Sequence, residues 1–463
     1  MARSLDTPIT DDGLEGVQFF NGRVLSAVDM QDEQRANRRR RAQVAQSVGT
    51  GVVHGLQVAV GPGSTPQSLR VREGLAISPG GDAVELFTDV EVSVVDIDTE
   101  TEPLTTGQFV RCDALPSVRA TGAGAYLLVA CRASAPRGQV PRVDPIGGDG
   151  RAGSCGPRYA VEGVRFRLVY LDHGDDGLVP AAFREELRDL MSGRTLSAAE
   201  QSRQRNLLAH WCLGSSNQRA MPVDLYDRLS SAEAFEAEPQ PYGPIDALRV
   251  PETDADLPRL SKEDVPLAFF VWDEAIQFVD MWAVRRRVHR TGGSPEAITE
   301  RRRAEGEARF RQFQAHIEDL PANETSGTLI SIEMSAYIRY LPPVALVPLV
   351  NALGRPGVAP ETFLGSHPAA PPVYVEGRQL PPLIHHAVLA PPVDLQRHTA
   401  LRVYRVRESD AVQEVPETVT DRPSGSATPY LVLASAGLPR LGDPRYGLSH
   451  WDYAHFRDTA IDD

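Results

Sequence analysis

The segment Val164-Arg165-Phe166-Arg167-Leu168-Val169-Tyr170 decides the class of this fold. Val164, Phe166, Leu168 and Tyr170 fall on one side and Arg165 and Arg167 on the other, the period of two that a strand with one buried face requires. Upstream, the same short apolar runs recur at 69–72, 75–78, 83–87, 91–97, 108–112 and 126–132. Val52, Leu56, Val58 and Val60 begin the series. Gly- and Pro-containing turns separate the runs, so the sequence predicts an antiparallel sandwich or barrel-like domain over about 17–175, preceded by a polar tail at 1–16.

Before the first strand, the period is helical. Phe19-Phe20-Asn21-Gly22 is a turn signal, Ser26 has the chemistry of an N-cap, and Asp29 three residues on makes an acidic variant of the capping box. The helix predicted over 27–48 is unusually polar. Its apolar positions, Val28, Met30, Ala36, Val44, Ala45 and Val48, make only a weak stripe toward a core. Arg38, Arg39, Arg40 and Arg41 project charge in several directions around its axis. A helix of this kind needs a partner, and Phe19, Phe20 and Arg38–Arg41 are the candidate interface, with guanidinium forks meeting acidic groups on a neighbouring subunit.

After the first β domain, Phe183, Leu187, Leu190 and Met191 keep helical spacing, and Ser197 with Glu200 makes a capping box for a helix carrying Leu207, Leu208 and Trp211. This predicts a helical hairpin at 176–231. A long connection rich in Pro, Glu and Asp leads into a second β segment within 232–322, with strands at 267–272 and 276–279. Ser294-Pro295 opens a helix that Pro321 is expected to end, its buried face being Phe310, Phe313, Ile317 and Leu320. A C-terminal loop-rich β domain is expected over 323–463, with strands at 329–340, 373–376, 401–407 and 430–434. The class is α+β and β-rich, with helical insertions.

Composition excludes several functions. The net charge of −14 argues against nucleic acid as a general partner, because neutralising phosphates needs an excess of Lys and Arg. Apolar runs are too short for a transmembrane helix, and 1–16 is polar and acidic, unlike a secretory signal. A bacterial cytoplasmic location is expected. The four cysteines, Cys112, Cys131, Cys155 and Cys212, are too scattered for a disulfide scaffold or a zinc site and are expected to be reduced.

Catalytic patterns are matched only weakly by this sequence. Gly147-Gly148-Asp149-Gly150 lacks the following Lys and helix of a phosphate loop. Cys155 within Gly153-Ser154-Cys155-Gly156 has no base assigned to it. His385-His386, and His450 with His455, lack metal-ligand spacing, and the acidic run 172–176 lacks the alternating ligands of a calcium loop. No catalytic residue, cofactor or metal site is expected. Asp280, inside Phe278-Val279-Asp280-Met281-Trp282, is the acid expected to be buried, compensated by Arg285 or its neighbours Arg286 and Arg287.

Several of these strings resemble proteins encoded beside phage-tail-like contractile injection systems. The likeness rests on Phe20-Asn21-Gly22-Arg23-Val24-Leu25, on Asp29 with Glu33-Gln34, and on Gly49-Thr50-Gly51-Val52-Val53-His54-Gly55-Leu56-Gln57-Val58. It continues in Gly74-Leu75-Ala76-Ile77-Ser78-Pro79-Gly80-Gly81, Phe278 to Arg286, Phe310-Arg311-Gln312-Phe313-Gln314 and Tyr340-Leu341-Pro342-Pro343. The resemblance implies a peripheral baseplate component, an adaptor or a fibre-like element, and it carries no catalytic residues. The expected partners are other subunits of a multiprotein particle, with self-association as a further mode, and release from the cell as part of that particle. Two other functions fit the composition. One is a carbohydrate- or receptor-binding module with aromatics on the rims of its β domains; the other is a hydrolase built on two convergent carboxylates.

Overall fold

The computed structural model describes residues 14–63, 67–95, 120, 122–142, 154–171, 181–215, 245, 248–249, 259–292, 294–323, 332–348, 360–365, 373–375, 377, 380–397, 401–406, 430–435 and 438. The tail 1–13, the expected strand 108–112, the glycine loop 147–150, the acidic run 172–176, His450 and His455 lie outside these residues, as does most of the connection 232–260.

The chain is α+β with open sheets that are antiparallel except where β13 (Val373–Val375) runs parallel to β15 (Leu401–Val406). Helix α1, Ala27–Val48, leads into six short strands: β1 (Gly51–Gly55), β2 (Val58–Val60), β3 (Ser68–Val71), β4 (Gly74–Ile77), β5 (Ala83–Leu86) and β6 (Val90–Ser93). They form two three-stranded sheets, β1-β4-β5 and β2-β3-β6. Strands β7 (Gly124–Arg142) and β8 (Ser154–Tyr170) make a long hairpin in constant register. After helices α2 (Ala181–Leu190) and α3 (Ala198–Cys212), strands β9 (Val265–Asp273) and β10 (Ala275–Asp280) complete a central sheet of order β10-β9-β7-β8. The units 17–175 and 232–322 are therefore not separate, because β9 pairs with β7 from Gly124↔Trp272 to Ala130↔Val265.

Both faces of the central sheet are covered: the small sheets pack on one face as in the expected sandwich, without closing into a barrel, and the helical hairpin adds a third layer on the other. Tyr126, Leu128, Leu168 and Phe270 meet Leu69, Val71 and Val84 of the small sheets and Leu56 between β1 and β2. Leu127, Val129, Val169 and Phe269, on alternate positions, meet Phe183, Leu187, Leu207 and Trp211 of the helical hairpin. The alternation at 164–170 thus describes one buried face correctly and the other incompletely. Arg165 is exposed, but Arg167 is buried and forms a two-pronged pair with Asp264, Nε to Oδ1 at 3.1 Å and Nη2 to Oδ2 at 2.5 Å. Burial pushes the Asp264 carboxyl up, and hydrogen bonds from Arg167 and the Ser261 amide more than offset it, so the group sits below its ordinary value.

Helix α4, Pro295–Asn323, begins at Ser294, whose Oγ accepts the Ala297 amide. It runs three residues past the expected stop at Leu320, through Pro321, which forfeits one hydrogen bond in the last turn. The expected strand 329–340 is instead, in its described part, a single helical turn, α5 (Met334–Tyr337), and then β11 (Tyr340–Leu341). Met334 and Ile338 are four residues apart and both buried, a spacing that suits a helical turn as well as a strand. Strands β12 (Val344–Pro348), β13 (Val373–Val375), β15 (Leu401–Val406) and β16 (Tyr430–Ser435) form a second sheet of order β12-β16-β15-β13, while β14 (Val393–Asp394) pairs with β11. On one face Phe313, Ile317 and Leu320 of α4 pack with Val403 and Leu433, together with Phe363 of α6 (Pro360–Leu364). On the other, Leu383 and Ala387 of α7 (Leu380–Ala387) meet Leu346 and Val432. His385 and His386 lie on α7, at its C-terminal end.

Candidate functional site

Helix α1 stands at the side of this body and is shaped from its first residue by local chemistry. Ser26 Oγ accepts the Asp29 amide at 3.2 Å, and Asp29 Oδ2 accepts the Ser26 amide at 2.8 Å. The Ser26 hydroxyl, then the Ser26 amide, and finally Arg23 at 2.5 Å hold the Asp29 carboxyl down at about 2. The sequence expectation of a helix at 27–48 with this cap is met residue for residue.

The seat of α1 on the body is polar and close. Gly81 adopts φ +84°, and a Cβ there would sit 2.2 Å from the Ala42 carbonyl, so glycine permits the 78–82 turn to touch the helix backbone. Gln46 Nε2 donates to the Pro79 carbonyl at 3.3 Å, and Glu33 accepts the Val17 amide at 3.1 Å from the lead-in segment. At the C-terminal end, Thr50 exchanges backbone hydrogen bonds with His289. Further along, α1 is separated from the body by a groove of about 680 Å³ lined by Met30, Gln34, Arg38, Arg39, Asp82, Arg132 and Lys262.

Of the residues in α1, only Ala36 is buried. Val28, Met30, Val44 and Val48 of the weak stripe face outward, Val44 with 66% of its surface exposed. The lead-in adds Phe19, Phe20 at 64% and Val24 at 90%. The arginine run divides as its helical positions require. Arg38 approaches Glu162 of β8 at 3.8 Å, Arg39 lines the groove, Arg40 turns back to Glu33 at 3.9 Å and Asn37 at 3.3 Å, and Arg41 is exposed. The six candidate interface residues divide between the lead-in segment, with Phe19 and Phe20, and α1, with Arg38–Arg41; Arg23 lies 5.9 Å over the Phe20 ring.

The expected buried ion pair of Asp280 with Arg285 is corrected. Asp280 is buried, but its partner is Arg205 of α3, Nε to Oδ2 at 3.1 Å, with Gln312 Nε2 at 3.0 Å and the Ala283 amide on Oδ1 at 3.0 Å. Arg205 also reaches Asp319 at 2.6 Å. Burial lowers the Arg205 pKa, and the two carboxylates more than reverse this. Arg285 does not reach Asp280, because the turn after β10 carries it to the opposite side. There it donates to the Gly55 carbonyl at 2.6 Å and lies 5.5 Å over the Trp282 ring. Burial, with Arg311 nearby, brings Arg285 down to about 10.

Sequence reasoning missed the polar seam between α3, α4 and α5. Ser202, Arg205, Asn206 and His210 of α3 are all buried, as are Gln312 and His316 of α4. Ser202 Oγ lies 2.9 Å from His316 Nε2, the separation of a nucleophile and its base. The Ser202 hydroxyl is also 3.1 Å from the Tyr337 carbonyl, so the serine bridges the imidazole of α4 and the backbone of α5. Asn206 links α3 to the next layer through the Arg339 and Tyr340 amides and the Tyr340 carbonyl. The seam fastens α3 to α4, α5 and β11.

Trp211 and Trp272 are buried, and Trp282 lies between Arg285 and Arg311, so these three tryptophans are not displayed on a β rim. Cys131 and Cys212 are buried free thiols, and burial pushes both upward. Among the described residues, no three His, Cys, Asp or Glu side chains gather as a metal site would need, and no helix is long and apolar enough to cross a membrane. In comparison with known proteins, no family model matches the chain and no curated protein matches its sequence.

Proposed function

We propose that the chain is a non-enzymatic structural component of a bacterial phage-tail-like contractile injection particle, attached at the periphery of the baseplate through α1 and its lead-in segment. The observation that supports this reading is a 22-residue helix that buries only Ala36 of itself while exposing Val28, Val44 and Val48 beside four consecutive arginines. A surface of exposed aromatics and arginines has the composition of an interface core, and burying Phe19 and Phe20 against a neighbour supplies about 2 kcal/mol each. The resemblance of the strings at 20–25, 49–58 and 74–81 to the injection-system proteins names the class of neighbour. Assembly takes place in the cytoplasm, with release as part of the particle.

The test replaces Arg38, Arg39, Arg40 and Arg41 with Ser in the full chain. The isolated variant keeps its melting temperature, because solvated charges contribute little to a protein's own stability. Its recovery with sedimented particles falls, as recovery of the wild type falls when salt is raised. Normal recovery of the folded variant would overturn the assignment.

A further inference from the structure

The hairpin β7–β8 continues far beyond the sheet that anchors it. Strand β9 pairs with β7 only as far as Ala130, whereas β7 and β8 remain paired from Ala133↔Gly163 out to Arg142↔Ser154. The free part is about ten residues per strand, roughly 33 Å long at the usual rise. Residues 134–140 and 157–163 are exposed throughout. A two-stranded ribbon with both faces in water is marginally stable. Its ladder keeps one register from base to arm, so the ribbon offers an ordered face that a covering surface would stabilise.

The chemistry of the arm indicates how it is held. Pro136 and Pro157 remove donors from the ribbon, which disfavours addition of a third strand at an edge. Contact is therefore through a face. Ala135 opposite Val161, and Arg137 opposite Tyr159, share the face that at the base carries Leu127, Val129 and Val169. There α2 and α3 cover it; farther out Val161 and Tyr159 are exposed. Arg137 and Arg158 make the arm cationic, and its one carboxylate in the exposed stretches, Glu162, is held by Arg132. The whole chain carries −14, so the surface of another copy is on average the complement of this arm.

Area separates a second copy from an unrelated partner. One ribbon face of about 33 by 10 Å buries roughly 650 Å² counting both sides, below a specific interface. Two arms exchanged across a twofold axis bury roughly 1,300 Å², within the standard range. We infer that the β7–β8 arm packs its Ala135, Val161 and Tyr159 face against an acidic surface of a second copy of this chain, reciprocally, to form a dimer.

Sedimentation equilibrium of the full chain at about 50 µM tests this, since a dimer of micromolar affinity is then well populated. The wild type is a dimer that high salt weakens. The exposed positions allow Arg137→Glu with Arg158→Glu, and separately Val161→Ser with Tyr159→Ser, without loss of fold, which circular dichroism verifies. Each pair raises the dissociation constant about tenfold or more. The Arg38–Arg41 serine variant stays dimeric, which separates this contact from the proposed particle contact of α1. A monomeric wild type, or arm variants that associate as the wild type does, would overturn the inference.

Discussion

Arg205 of α3 and Asp280 at the end of β10 meet at 3.1 Å with both side chains buried, so that helical layer and central sheet are joined by a charge pair inside the molecule. Removing one partner strands the other. Asp280→Ala or Arg205→Ala is expected to cost about 3–5 kcal/mol in urea unfolding. A double-mutant cycle gives a coupling of about 2 kcal/mol for Arg205 with Asp280 and about zero for Arg285 with Asp280. The reverse pattern would restore the pairing expected from sequence.

Gly306 sits in the middle of α4, where a Cβ would come within 1.8 Å of the Val388 carbonyl just beyond α7. Helix propensity favours Gly306→Ala by about 1 kcal/mol, and the steric overlap opposes it with about 1–3 kcal/mol or more. The contact wins because backbone, rather than a flexible side-chain end, must move. Thermal unfolding of the variant is expected below the wild type; a rise would show that α7 yields freely.

His210 is buried against the Tyr340 ring, 5.1 Å between centroids, and burial, then Arg309, pushes its pKa down to about 3. The unfolded chain takes up this proton near the ordinary histidine value, and the folded chain does so only near 3. Stability is therefore full above that ordinary value and declines as pH falls toward 3, by about 1.4 kcal/mol per pH unit for this group. His210→Phe keeps the ring stack and removes the titration. Between pH 6 and 4 the variant is expected to lose stability less steeply than the wild type, and parallel curves in urea titrations would refute this origin.

Ser26→Ala removes the hydroxyl that caps α1. The local loss is about 1 kcal/mol, roughly fivefold in the opening of the first turn. Because α1 buries only Ala36, hydrogen exchange in 27–33 is expected to quicken while the global melting temperature hardly moves. A large fall in melting temperature would mean that α1 is part of the cooperative core.

Much of this architecture was legible because its signals are local. Ser26 with Asp29 and Ser197 with Glu200 announce two helices through side chains three residues apart. The exposed character of α1 follows from its poor stripe. The arm of β7–β8 was not legible: Pro136, Gly138, Pro141 and Pro157 read as turns, and no apolar alternation marks a ribbon that buries little. Arg205 was hidden for a different reason. A helix reading Gln201-Ser202-Arg203-Gln204-Arg205-Asn206 has the composition of a solvated surface, and only the layers above and below it reveal its burial. Arg167 was assigned to solvent because the segment that covers it, ending at Asp264, comes from nearly a hundred residues away in sequence.

The root of α1 carries a consequence for synthesis. Thr50 pairs with His289, and Gly55 receives Arg285 from 230 residues downstream. At ordinary translation rates those partners emerge roughly 10–50 s after the N-terminal strands, an interval far longer than a hairpin needs to form. The first sheets must therefore wait on the ribosome with their seat unfilled. A nascent chain arrested before residue 285 would present α1 and β1 to chaperones and proteases as an unfastened element.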